Sequence, residues 1–125
     1  MDTAAAARRF VDGWTDAWFG RDPDAVAALY ADDAVFVSQP FREPQAPRDY
    51  AAWAFADDEP LVEVHWGEPI LAVDRAIIEY WAFMGDATLA GVALIRFGSD
   101  GLVVDQRDYW AVENGRREPA ASWGR

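Results

Sequence analysis

Apolar residues recur every three to four positions at the start of the chain. Phe10, Trp14 and Trp18 stand at i, i+4 and i+8, with Ala7, Val11 and Ala17 beside them, which predicts an amphipathic helix over residues 3–19. Gly20 offers that helix a stop. Asp22-Pro23 restarts one, with Asp as N-cap and Pro at the first helical position. Val26, Leu29 and Tyr30 give this second helix its buried face, and Asp32-Asp33 ends it as a structural signal. Ala34–Ser38 then reads as a short strand. Residues 39–47 hold three prolines, so they form neither a regular helix nor a central strand; they are a connector or a lid. A third helix is expected from about Asp49 to Ala56, with Tyr50, Trp53 and Ala54 on one face. Asp57-Asp58-Glu59 reads as a solvated loop.

From there the period changes to two. Leu61–Trp66, Ile70–Val73, Ala76–Met84, Thr88–Phe97 and Leu102–Val112 read as strands, separated by Gly-Glu-Pro, Asp-Arg, Gly-Asp and Ser-Asp-Gly breaks. Residues 113–125 read as a polar tail. Helices first and antiparallel strands afterwards predict an α+β domain, with the helices on one face of a curved sheet that encloses a pocket.

The length of 125 residues fits a single domain, 1–125, with its core at about 5–112. Hydrophobic residues make up 52% of the chain, enough for a real core. Every basic residue is arginine, and 11 of them against 22 acids leave a net charge of -11. Such a chain repels phosphate backbones and anionic lipid, so neither nucleic acid nor a membrane surface is an expected partner. Cysteine is absent and His65 is the one histidine, which excludes thiol nucleophiles, zinc-thiolate sites and a multi-histidine metal site within one chain. No metal or cofactor is expected. No apolar run approaches the roughly 18 residues of a membrane span, and the order of residues at the N-terminus is not that of a signal peptide, so a cytoplasmic protein is expected.

Two segments carry a family resemblance: GRDPDAVAALYADDA at Gly20–Ala34 and RFGSDGLV at Arg96–Val103. With the order of elements around them they resemble the nuclear transport factor 2-like superfamily, and within it the SnoaL-like, polyketide cyclase-like branch. The resemblance implies a cone-shaped, cystatin-like sheet with three N-terminal helices around a hydrophobic pocket. It also implies a homodimer through the outer sheet face, here Ile78, Tyr80, Ala82, Val92 and Leu94. It does not imply one activity, because this fold hosts isomerases, dehydratases, cyclases, epoxide hydrolases and non-catalytic domains. The positions that match the isomerases' catalytic Tyr, Asp and Asp hold Trp14, Ser38 and Ala93, so that constellation is missing.

If Ala93 faces the pocket as the matched position does, alternation turns Gln106, Asp108 and Trp110 of the last strand inward. The same matching turns Ile77, Glu79, Trp81 and Phe83 inward. Asp108 and Glu79 are then candidate catalytic carboxylates in an aromatic cavity, sharing a proton or bonded to Trp14 or Tyr30. His65 is a third candidate, as a general base or as a histidine on the outer face; some relatives combine His and Tyr with Asp, which implies Tyr30, His65 and Asp108. Trp14, Trp18, Tyr30, Ser38, Trp53, Trp81, Phe83, Gln106 and Trp110 are the candidate ligand contacts. The expected function is a cofactor-independent isomerase, cyclase, dehydratase or hydrolase acting on a small hydrophobic molecule. The alternative is a ligand-binding or dimeric accessory module without turnover.

Overall fold

The computed structural model describes residues 1–125. Helix α1 spans Thr3–Gly20 and α2 spans Pro23–Ala27. Asp2 caps α1 by accepting from the Ala5 amide at 2.7 Å. The α1 stop falls on Arg21 rather than Gly20: Arg21 takes a left-handed φ of 51° and its N–H closes on the Ala17 and Trp18 carbonyls. Asp22 caps α2 through the Asp24 and Ala25 amides, with Pro23 at the first position. This helix is shorter than its sequence pattern predicts, because Tyr30, Asp32 and Asp33 already belong to strand β1, Tyr30–Val37. Helix α3 covers Pro47–Asp57.

Five more strands follow: β2 Leu61–Trp66, β3 Ile70–Ala72, β4 Arg75–Met84, β5 Ala87–Phe97 and β6 Val103–Asn114. They form one sheet in the order β1-β6-β5-β4-β2, with β3 pairing on β4 as well. The sheet is mixed rather than wholly antiparallel, because β1 runs parallel to β6. A parallel pair needs a long crossover, and here α3 with β2 to β5 supplies it. The helices lie on one sheet face. Phe10 and Trp14 of α1, Val26 of α2 and Ala51 and Phe55 of α3 meet Ile78, Tyr80, Ala93 and Ile95 in the core.

The β4–β5 hairpin decides which β4 side chains face the helices. Gly85-Asp86 is a two-residue turn, so Met84 pairs with Ala87, and counting back puts Ile78 opposite Ala93 and Tyr80 opposite Gly91. Residues directly opposite in an antiparallel pair share a face. Ala76, Ile78, Tyr80 and Ala82 are therefore the buried inner set, whereas Ile77 and Glu79 are exposed. This reverses the expected parity of β4. Glu79, Trp81 and Phe83 belong to the outer face, and Ile78, Tyr80 and Ala82 do not.

The last residues are not a free tail. Strand β6 runs to Asn114, and the chain then folds back over the outer face. The Thr88 hydroxyl donates to the Gly115 carbonyl and accepts from the Arg117 amide, and Trp81 Nε1 donates to the Arg117 carbonyl. The Arg116 guanidinium lies 3.7 Å from the Phe83 ring centre, and Trp123 meets Trp81 edge-on. Phe83 is thereby buried to 3% exposure although it points away from the helices.

Gly91 is required by close approach. A Cβ there would stand 2.6 Å from the Trp110 Cβ, 2.7 Å from the Tyr109 carbonyl oxygen and 2.9 Å from the Tyr80 ring. Gly91→Ala is expected to cost about 2–3 kcal/mol by overpacking. Urea melts check this, and a loss below about 0.5 kcal/mol, within the range of ordinary surface substitutions, would show that the sheet yields there.

Candidate functional site

Between α1, α3 and the inner sheet face lies a cavity of about 260 Å³. Ligand clefts usually run to roughly 300–1,000 Å³, so this one suits a small molecule rather than a polycyclic one. Ten of its 21 lining residues are aromatic. Trp14 and Trp18 line it from α1, Tyr50 and Trp53 from α3, Tyr80 from β4, and Gln106, Asp108 and Trp110 from β6. The inward placement of Gln106, Asp108 and Trp110 agrees with the sequence pattern.

Asp108 is the polar centre. Its Oδ2 accepts from the Tyr80 hydroxyl at 3.0 Å and its Oδ1 from Gln106 Nε2 at 2.8 Å. Tyr80 reaches it from two strands away, across β5, where the opposing residues are Gly91 and Ala93. Small residues there leave the passage open. Burial pushes the Asp108 carboxyl up to about 7, opposed by the hydrogen bonds from Gln106 and Tyr80. No arginine forms an ion pair with it.

Gln106 continues the network away from the cavity. Its Oε1 accepts from the Tyr30 hydroxyl at 2.5 Å, and the Tyr30 oxygen accepts from Trp14 Nε1 at 2.9 Å. An indole N–H can only donate. Tyr30 must therefore donate onward to Gln106 Oε1, and the Gln106 amide must turn its NH₂ to Asp108. The chain Trp14, Tyr30, Gln106, Asp108 thus runs in one direction and delivers a donor to the carboxylate. Asp108 is linked to Trp14 and Tyr30 as the sequence suggests, but through Gln106. Burial, against the Trp14 hydrogen bond, raises the Tyr30 phenol well above its usual value; burial and the nearby Asp108 do the same for Tyr80.

The mouth carries the remaining charges. Arg42, from the proline-rich loop, stacks over Trp53 at 5.0 Å and Trp110 at 5.3 Å and donates to Ser38 Oγ. Trp110 Nε1 donates to the Ser38 carbonyl. Asp57, Asp58 and Glu59 are exposed, as expected of a solvated loop, and Asp58 and Glu59 also border the cavity. Burial and the neighbouring Asp57 raise the Asp58 carboxyl, and Arg42 and Arg21 oppose the rise.

Several expected site residues lie elsewhere. Glu79 is on the outer face, where its carboxylate accepts from the Gly124 amide. It does not meet Asp108. His65 pairs with Trp81 in register, also outward, and its Nε2 lies 2.6 Å from Glu63 Oε1. The combination of Tyr30, His65 and Asp108 is therefore not assembled. Trp81 and Phe83 are held under the C-terminal segment. Tyr30 and Ser38 are buried behind the wall and act through what they bond. Sequence reading misses Tyr80, Arg42, Tyr50 and the Asp58–Glu59 pair. The two-residue Gly85-Asp86 turn is the signal that would have found Tyr80.

The sequence matches the SnoaL-like domain family over residues 7–116. No curated protein sequence matches it. Among solved structures, the chain is similar to the epoxide hydrolase/cyclase-like enzyme SalBIII of pyran ring formation in salinomycin. That likeness has a TM-score of 0.72 at 12% identity, over 86% of this chain and 94% of that one. A steroid delta-isomerase from Pseudomonas aeruginosa gives 0.63 at 22% identity, over 86% and 80%. A SnoaL-like protein of unknown function from Burkholderia thailandensis E264 gives 0.70 at 24% identity, over 89% and 99%. At these identities the likeness is one of fold, that of a nuclear transport factor 2-like, cystatin-like domain. With the family matched over nearly its whole length, the chain belongs to the SnoaL-like domain family.

Proposed function

We propose that this protein is a cofactor-independent enzyme that moves a proton on a small hydrophobic substrate, with Asp108 as the acid and base. The observation that carries the reading is the setting of Asp108: a carboxyl inside an aromatic cavity, held by two neutral donors and no cation. A carboxyl that titrates near neutrality can both give and take a proton at pH 7. Tyr80 and Gln106 hold it in place, and Trp14 and Tyr30 hold Gln106. Trp18, Trp53 and Trp110 supply flat apolar surface for the substrate. The reaction classes this supports are isomerisation, cyclisation, dehydration and hydrolysis.

The test is a panel of small unsaturated ketones, alcohols and epoxides incubated with the protein in D₂O and followed by proton NMR. Deuterium incorporation or conversion that disappears in Asp108→Asn is the expected result. Asp108 titrating in the ordinary carboxylate range near 4, read from carbon-13 carboxyl shifts, would remove it from this role.

One observation favours ligand binding without turnover. Glu79 and His65 point outward, so Asp108 has no second titrating partner among the expected three. A ligand that raises the melting temperature while no panel member reacts would establish that reading.

The outer face supports self-association. Ile70, Ile77 and Tyr109 are exposed there, beyond the area that the C-terminal segment covers. A homodimer through this corrected face is expected at micromolar concentration, and sedimentation as a 13.9 kDa species would refute it. No helix of the chain is long and apolar enough to cross a membrane.

A further inference from the structure

Of the eight neutral side chains of the cavity wall that can donate a hydrogen bond, five are committed to the protein itself, and Trp18, Tyr50 and Trp53 are not. Trp14 Nε1 bonds Tyr30, Trp66 Nε1 bonds Thr15, and Trp110 Nε1 bonds the Ser38 carbonyl. The Tyr80 hydroxyl and the Gln106 amide both serve Asp108. An oxyanion site needs donors aimed at the place where negative charge develops. Here five of those donors are turned into the wall, and beyond the Tyr50 hydroxyl and the Trp18 and Trp53 N–H groups the surface left to a ligand is ring faces and carboxylates.

The charges point the same way. The lining holds three carboxylates, Asp108 inside and the exposed Asp58 and Glu59 at its border, against one cation, Arg42. The whole chain carries a net charge of -11. Arg42 is held at the mouth by Trp53, Trp110 and Ser38. It shows that the indole faces at the mouth accept a cation, and it lies over those faces rather than over the deeper rings of Trp14, Phe55, Trp66 and Tyr80. Aromatic faces attract cations through the ring quadrupole, more strongly where water is excluded. Beside those faces stands Asp108, a carboxylate whose two hydrogen bonds are both from neutral groups. A positive charge in the cavity would meet both.

We infer that the cavity selects positive charge: it takes a small apolar organic cation, such as an aryl- or alkylammonium, in preference to a neutral molecule of the same shape. This rests on the cavity being the functional site and deepens that reading. If Asp108 is an acid, its proton passes from Oδ to the substrate, where a new bond to hydrogen forms. The carboxylate left behind is held by Tyr80 and Gln106 and faces a substrate that has become positive. Loss of a proton from a neighbouring substrate carbon back to Asp108 completes an isomerisation with no other reactant. Stable ammonium compounds then mimic the charged species and bind as inhibitors.

The experiment is a tryptophan-fluorescence titration of the wild-type protein at pH 8.5 with benzyltrimethylammonium, its neutral carbon isostere neopentylbenzene, and phenylacetate. The ammonium is expected to bind at least about tenfold more tightly than the neutral isostere, and phenylacetate more weakly than either. Asp108→Asn should reduce that preference to about threefold or less. Equal affinity for the ammonium and its isostere overturns the inference, as does tighter binding of phenylacetate that Arg42→Gln abolishes. The wild-type comparison needs no variant to fold. Failure here with Asp108-dependent turnover intact would leave the acid–base reading standing; cation binding without turnover would do the reverse.

Discussion

Asp108→Asn is expected to make the protein more stable at pH 8, and at the same time inactive. The carboxyl is pushed from its ordinary 3.8 to about 7 in the folded state, chiefly by burial. Between those two values the folded protein binds more protons than the unfolded chain, so stability falls as pH rises through that window and is flat above it. The ionised carboxylate thus costs up to about 4 kcal/mol above pH 7 and almost nothing at or below pH 4. Asparagine is nearly the same shape and never ionises. Its carbonyl can accept from Gln106 Nε2, whose direction is set by Tyr30, and its NH₂ can donate to the rotatable Tyr80 hydroxyl. A gain of about 2–4 kcal/mol at pH 8, shrinking below about 1 kcal/mol at pH 4, is expected from denaturant melts at both pH values. Loss of proton transfer by about 10²–10⁴-fold is expected alongside, in whatever reaction the substrate panel reveals. A site that is costly to the fold and needed for activity is what selection for function leaves behind. Asp108→Asn that is no more stable than wild type at pH 8 would show that the carboxylate is already well solvated. It would then be an ordinary acid at a wet cavity rim.

The helices and strands are legible in the sequence because their periods differ and their caps are explicit. Asp22-Pro23 announces α2, and each strand of the second half ends at a glycine, proline or aspartate break. The inner face of β5 and β6 is legible too, since alternation propagates from Ala93 to Gln106, Asp108 and Trp110. Strand β4 shows where this reasoning is fragile. Its sequence, RAIIEYWAFM, is apolar on both faces, so alternation alone does not choose between Ile77-Glu79-Trp81 and Ile78-Tyr80-Ala82. Both faces are apolar for a physical reason: the inner one packs on the helices, and part of the outer one packs under the C-terminal segment. That segment reads as polar because backbone hydrogen bonds and a cation over Phe83 hold it, with Trp123 as its main apolar anchor. The turn carries the missing information. A two-residue Gly85-Asp86 hairpin fixes Met84 opposite Ala87, and from that pair Tyr80 and Glu79 fall on their correct sides. Arg42, Asp58 and Glu59 come from irregular segments, where no period says which way a side chain points.

Tyr30→Phe is expected to damage the protein more than the loss of one hydroxyl suggests. The phenol oxygen stands between two buried groups, accepting from Trp14 Nε1 and donating to Gln106 Oε1. Trp14 is 8% exposed and Gln106 2%, so neither finds water in its place. A donor and an acceptor are orphaned together, at a cost of about 2–4 kcal/mol. The damage also reaches the cavity. Without Tyr30, the Gln106 amide loses the contact that fixes its direction, and its bond to Asp108 is one of the two that hold the carboxyl down. The Asp108 titration should therefore move above 7 in Tyr30→Phe, visible in its carbon-13 carboxyl shift. Gln106→Met removes the acceptor and the donor to Asp108 at once, and it should produce the same upward move. In the double variant the Tyr30–Gln106 pair is deleted together, so neither leaves the other unpaired and the two stability losses should not add; an interaction of about 1–2 kcal/mol is expected in the double-mutant cycle. Strict additivity, with an unmoved Asp108 titration in Tyr30→Phe, would mean that Tyr30 only fills space and that Asp108 is held by Tyr80 alone. Coupling with the upward shift would mean that a tryptophan on the first helix sets the direction of a hydrogen-bond chain ending at the reacting group.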